Sequence, residues 1–215
     1  MNCIVSSSTY RFIFFLSGFF VLSFLQAQPQ KEQYISEKGI MLSSENKRKF
    51  DYYFYDALNA KALGKFDEAF DYMQHCFALD STNANVLIEL GTFYNVLQEK
   101  NKALDFYQKA VKYDRPNYYY NMMLAGLSKE MGQKQTIIDI YTFLLKQYPE
   151  KVELNYELAN AYADNGDLQK AIDALNELEK NMGISEAITL SKFRLYSMLD
   201  KKDRALKEIQ LIIDK

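Results

Sequence analysis

The chain has 215 residues, of which 48% are hydrophobic and 25% charged. That balance excludes wholesale disorder and fits one domain plus a short tail. Its 26 basic and 28 acidic side chains give a net charge of −2, so the basic surface that phosphate backbones require is missing and no nucleic-acid partner is expected. Two Cys and one His cannot build a disulfide scaffold or a zinc site, and no metal or other cofactor is expected.

Residues 1–27 contain no acidic side chain and one basic one, Arg11, followed by the apolar run Phe12 to Leu25, FIFFLSGFFVLSFL. A bilayer-spanning helix needs about 20 such residues, which this run does not reach. With small Ala27 after it, the pattern reads as a secretory signal peptide over 1–27, cut before Gln28. An uncleaved anchor is the alternative, and it is the only membrane contact expected. The Leu-Gln-Ala-Gln ending resembles signal peptides common in Bacteroidetes, which implies export to the periplasm or cell surface. Removal of Arg11 takes the charge to 25 − 28 = −3 and leaves one Cys, Cys76, so no intramolecular disulfide can form in the mature chain.

Residues 28–49 are polar and mixed in charge and read as a flexible lead-in. Within them, Ser43 or Ser44 is placed to cap a first helix beginning near Glu45.

From residue 50 onward the sequence has a period of 34. Ala69 leads to Ala103, Ile137, Ala171 and Ala205; Gly64 leads to Gln98, Gly132, Gly166 and Asp200. Ala57 leads to Gly91, Ala125, Ala159 and Phe193, and Met73 to Tyr107, Tyr141, Leu175 and Ile209. Each period has room for two helices and two tight turns. In 152–185, Leu158, Ala159 and Tyr162 form one helical stripe. Asn165-Gly166-Asp167 breaks it, and Leu168, Ala171, Ile172, Leu175 and Leu178 form the next. The small residues mark where two helices of a hairpin cross closely. No stretch alternates with period two, so the fold is expected to be all-α.

These columns resemble the tetratricopeptide repeat, a 34-residue helix–turn–helix unit. Residues 84–117 carry Leu90, Gly91, Tyr94, Ala103, Tyr107 and Ala110 at the family's positions; 152–185 carry Leu158, Ala159, Tyr162, Gly166 and Ala171. The units 50–83 and 118–151 depart at Asp56 and Ile137, and 186–215 at Lys192 and Phe193. The resemblance implies a right-handed solenoid of about five helical hairpins. Such a solenoid normally ends on a polar capping helix. Here Leu206, Ile209, Ile212 and Ile213 are left with one flank open, so a partner, a second copy or further sequence is expected to cover them.

Candidate chemistry is sparse. His75 and Cys76 are adjacent on one helix and point about 100° apart, so they are not a catalytic pair. Cys76 falls in the buried column of Ala110 and Leu144. Carboxylates such as Asp67, Glu68, Glu177 and Glu179 read as solvated surface. No P-loop, G-x-G-x-x-G or G-x-S-x-G motif occurs, and the chain is not expected to be an enzyme.

The resemblance implies instead a concave groove lined by the first helix of each unit. Its exposed positions would be Phe54, Leu58 and Lys61, then Ile88, Thr92 and Asn95, then Tyr119, Met122 and Lys129, then Tyr156 and Asn160, and last Arg194. Aromatic and Met side chains beside amides suit an extended peptide. The function expected is a protein- or peptide-binding scaffold or assembly adaptor in the bacterial cell envelope. The alternative is the N-terminal part of a longer signalling or enzymatic protein.

Overall fold

The computed structural model describes residues 40–213. The expected leader at 1–27, the lead-in up to 39 and Cys3 lie outside the described residues. Within them the chain forms ten α-helices and no strand: α1 (Ser44–Ala62), α2 (Phe66–Leu79), α3 (Ala84–Val96), α4 (Lys100–Tyr113), α5 (Tyr118–Glu130), α6 (Lys134–Gln147), α7 (Leu154–Asn165), α8 (Leu168–Met182), α9 (Glu186–Met198) and α10 (Lys202–Ile213). Extensive contacts join only helices adjacent in sequence, α1 to α2, α2 to α3 and onward to α9 with α10. The architecture is therefore an all-α solenoid of five helical hairpins. None of the described helices is long and apolar enough to cross a membrane.

The first helix starts where the capping chemistry places it. Ser43 is the N-cap of α1 and its side chain accepts from the Asn46 amide, so the hairpin begins inside the segment read as lead-in. Asn83, Asn117 and Ser185 cap α3, α5 and α9 in the same way. These side-chain oxygens satisfy amides that a helix start leaves open.

The turn inside each hairpin repeats one backbone solution. Gly64, Gln98, Gly132, Gly166 and Asp200, one column, all have positive φ. Just after each of them, the amides of Lys65, Glu99, Gln133, Asp167 and Lys201 donate to the carbonyls of Ala60, Tyr94, Ser128, Tyr162 and Tyr196, five residues back. This is the Schellman ending, which closes a helix by a left-handed residue.

The crossing columns are dry. Ala57, Ala69, Ala103, Ala125, Ala159, Ala171 and Ala205 are buried, as are Met73, Tyr107, Tyr141 and Leu175 beside them. Leu90, Leu124 and Leu158 fill the next column, and Lys192 is buried in the same position of the fifth unit.

One sequence expectation changes here. Glu179 is not solvated: it pairs with Lys192 at 2.8 Å, and Glu208 of α10 lies 3.0 Å from the same ammonium. The Lys192 side chain is only 5% exposed. The column of Leu90 and Leu158 turns charged at Lys192, as do the columns of Val111 and Leu145 at Glu179 and of Ile140 and Ala174 at Glu208. The three departures compensate one another. Burial disfavours the Lys192 ammonium, but the two glutamate hydrogen bonds outweigh it and hold its pKa above the ordinary lysine value. On α10, Leu206 and Ile213 are exposed, whereas Ile209 and Ile212 are half-buried.

Candidate functional site

The first helices α1, α3, α5, α7 and α9 carry all the expected groove residues. Leu58, Tyr119, Lys129, Asn160 and Arg194 are exposed, while Phe54, Thr92, Asn95, Met122 and Tyr156 are half-buried. Ile88 is not a groove residue: it is 4% exposed and belongs to the main core cluster with Leu87, Tyr107 and Leu124. Its apolar side chain is taken up by packing between helices. Phe54 stacks on Phe50 with ring centroids 5.8 Å apart, and Met122 and Tyr156 lean on the core.

Polar links tie neighbouring first helices together. Lys61 of α1 donates to Glu89 of α3 at 2.6 Å. The Tyr120 hydroxyl of α5 donates to Asn85 Oδ1 of α3 at 2.6 Å. Burial raises the Tyr120 phenol pKa, with Asp114 and Glu89 adding to the effect. The Thr92 hydroxyl donates to the Ile88 carbonyl at 2.9 Å and lies 3.3 Å from the Tyr107 hydroxyl. Lys129 and Asn160 come together with Glu157 and Asp164 around a shallow depression of about 20 Å³, too small to take a side chain.

A larger cavity was not foreseen. It has a volume of about 240 Å³ and lies between α1, α2 and α3. Phe66, Phe70, Phe93, Val96 and Leu97 form most of its wall, with Lys61, Asp67, Glu89 and Thr92 among the polar groups. The Phe70 ring meets Phe93 and Tyr94 edge-on, at 5.4 and 5.5 Å. Phe66 and Val96 remain 58% and 74% exposed at the mouth. A signal for it existed in the repeat columns, where Lys100 and Glu130 stand in place of Phe66 and Val96.

The reactive side chains are spoken for. Cys76 is fully buried and its thiol donates to the Phe50 carbonyl at 3.7 Å. Burial pushes its pKa up to about 12, the reverse of what a nucleophile needs. His75 is exposed and stacks on Tyr53 at 4.8 Å. Among the described residues no group of three His, Cys, Asp or Glu could hold a metal ion.

This arrangement sets exposed apolar and polar side chains on helical hairpins, and the comparisons agree on the hairpins. Residues 84–117 and 152–180 match the tetratricopeptide repeat model. Similar solved structures are of the same helical-hairpin kind. YrrB, described as a tetratricopeptide repeat protein with an unusual peptide-binding site, is 18% identical with a TM-score of 0.64, over 79% of this chain and 88% of its own. A MamA protein is 21% identical with a TM-score of 0.62, over 76% and 90%. The MamA of Desulfovibrio magneticus RS-1, from its residue 41 to the end, is 14% identical with a TM-score of 0.59, over 77% and 94%. No curated protein sequence matches the chain.

Proposed function

We propose that this chain is a non-enzymatic scaffold that binds a protein or peptide partner along its first helices, in the cell envelope. The observation that carries the reading is the mixed chemistry of that face. Exposed Tyr119 and Leu58 offer apolar area, and exposed Asn160, Lys129 and Arg194 offer donors and acceptors for a peptide backbone or side chains. The peptide-binding site named for YrrB supports the same class of ligand. Export rests on the 1–27 pattern of the sequence.

The test is capture from an envelope extract with the full chain and with the triple variant Tyr119→Ala/Asn160→Ala/Arg194→Ala. All three side chains are exposed, so the fold should survive their loss. A partner held by the natural surface and released by the variant is the expected result; equal retention by both would overturn the reading. Intact mass of the protein recovered from cells tests export: a mature chain starting at Gln28 is expected, and an unprocessed chain in the cytosolic fraction would contradict it.

A further inference from the structure

We infer that the cavity between α1, α2 and α3 is an anchor socket for the partner peptide. It takes one bulky aromatic or aliphatic side chain that has a Lys or Arg beside it. This rests on the peptide-binding reading above and names the chemistry of the ligand.

Two of the other three junctions close with a polar link the seam that stands open at the socket; the last carries Leu168 and Met198 in the same columns. At the next junction, between α3, α4 and α5, Lys100 and Glu130 hold the places of Phe66 and Val96 and bridge the seam at 2.9 Å. At the junction after that, the Lys134 ammonium reaches the Asp164 carbonyl across the same seam. At the first junction both members of the pair are apolar, neither is covered, and a cavity of about 240 Å³ stands open behind them. Small-molecule pockets usually start at roughly 300 Å³, so this volume suits a side chain better than a cofactor. The wall of Phe66, Phe70, Phe93, Val96 and Leu97 gives an apolar anchor its burial energy, and a few such anchors dominate most interfaces.

Charge selects what stands beside the anchor. The lining has two carboxylates, Asp67 and Glu89, against one ammonium, Lys61. Lys61 is already paired to Glu89 at 2.6 Å. Exposed Asp67 makes no ion pair among the described residues. A cationic neighbour on the peptide complements it. The socket shares Lys61 and Thr92 with the first-helix face, so an anchored peptide can run on along that face.

The repeat also supplies the test. The double variant Phe66→Lys/Val96→Glu rebuilds the Lys100–Glu130 bridge and closes the socket with a pair this fold already accommodates. A phage library of random nonapeptides is panned on the purified full chain. The best enriched peptide, fluorescein-labelled, is then titrated by anisotropy against the full chain and its variants. We expect enriched sequences with Phe, Leu, Ile or Met next to Lys or Arg. The closed variant should bind at least tenfold more weakly with an unchanged melting temperature, and Asp67→Asn should erase the preference for the basic neighbour. Enrichment without a bulky apolar residue, no enrichment at all, or a closed variant within twofold of the natural chain would each overturn the socket. If Tyr119→Ala/Asn160→Ala/Arg194→Ala loses the peptide while the closed variant keeps it, the groove reading stands and the socket alone fails.

Discussion

A Cβ added at Gly91 would stand 2.5 Å from Cδ1 and 2.6 Å from Cε1 of the buried Tyr107 ring. The ring has no free space to move into, so Gly91→Ala should cost about 1–3 kcal/mol. Gly126 lies inside α5, and a Cβ there would meet nothing within 4 Å. Gly126→Ala should therefore gain about 0.5–1 kcal/mol from helix propensity. Urea unfolding of the two variants checks the opposite signs. Cys76 and Tyr141 predict the pH response. Burial raises the thiol from 9.0 to about 12 and the phenol from 10.0 to about 12. Both groups are thus held neutral by the fold. Their contribution to stability is complete below the unfolded pKa and is lost as pH climbs towards the folded one. The melting temperature should be insensitive to these groups near neutrality and fall from about pH 9 to 12.

The fifth hairpin is held by charge where the others use hydrocarbon. Lys192 of α9 joins Glu179 of α8 to Glu208 of α10, while Glu179 Oε1 and Glu208 Oε2 are buried with no hydrogen-bond partner. Removing only the cation strands two carboxylates, so Lys192→Met should cost about 3–5 kcal/mol. Replacing the whole triad by the residues of earlier units, Lys192→Leu/Glu179→Leu/Glu208→Ala, should be neutral or stabilising by about 1–4 kcal/mol. Denaturant titration of both variants decides it; a triple variant as damaged as the single one would show that the triad itself stabilises the hairpin. The turn columns give a smaller effect of the same kind. Gln98 and Asp200 hold a left-handed conformation where three units use Gly. Relief of that strain is partly offset by the flexibility glycine adds to the unfolded chain, so Gln98→Gly should gain about 0.5 kcal/mol.

Because extensive contacts join only sequence neighbours, stability along the hairpins is a sum of local units and junctions. The second helices α2, α4, α6 and α8 each pack against the helix before and the helix after, whereas among the described residues α10 packs extensively on α9 alone. Leu206 and Ile213 stand in the columns of Ile172 and Val111, which are buried at inner junctions, and are exposed. Amide exchange should therefore be fastest in α10 and slowest in α4 to α8. Uniform protection across all ten helices would contradict this one-dimensional picture. Any segment or partner that packs on α10 should slow its exchange, giving a direct assay for what covers that face.

The 34-residue period was enough to assign ten helices, their turns and their buried seams. The helix starts and turns depend on contacts within about five residues, such as the Ser43 cap and the Schellman bonds around Gly64, and the seams on the helical stripe that the period repeats. Cys76 and the alanine columns are buried where the periodicity put them. The environments that matter for recognition are set between helices far apart in the chain. Lys61 finds Glu89 across 28 residues, Lys100 finds Glu130 across 30, and Lys192 finds Glu179 across 13. A helical stripe says which side of a helix is apolar, but the packing angle of its neighbours decides whether that side is sealed, as at Ile88, or open, as at Phe66 and Val96. Charge in a buried column has the same ambiguity: Lys192 reads as a fault in one unit until α8 and α10 bring two carboxylates to it.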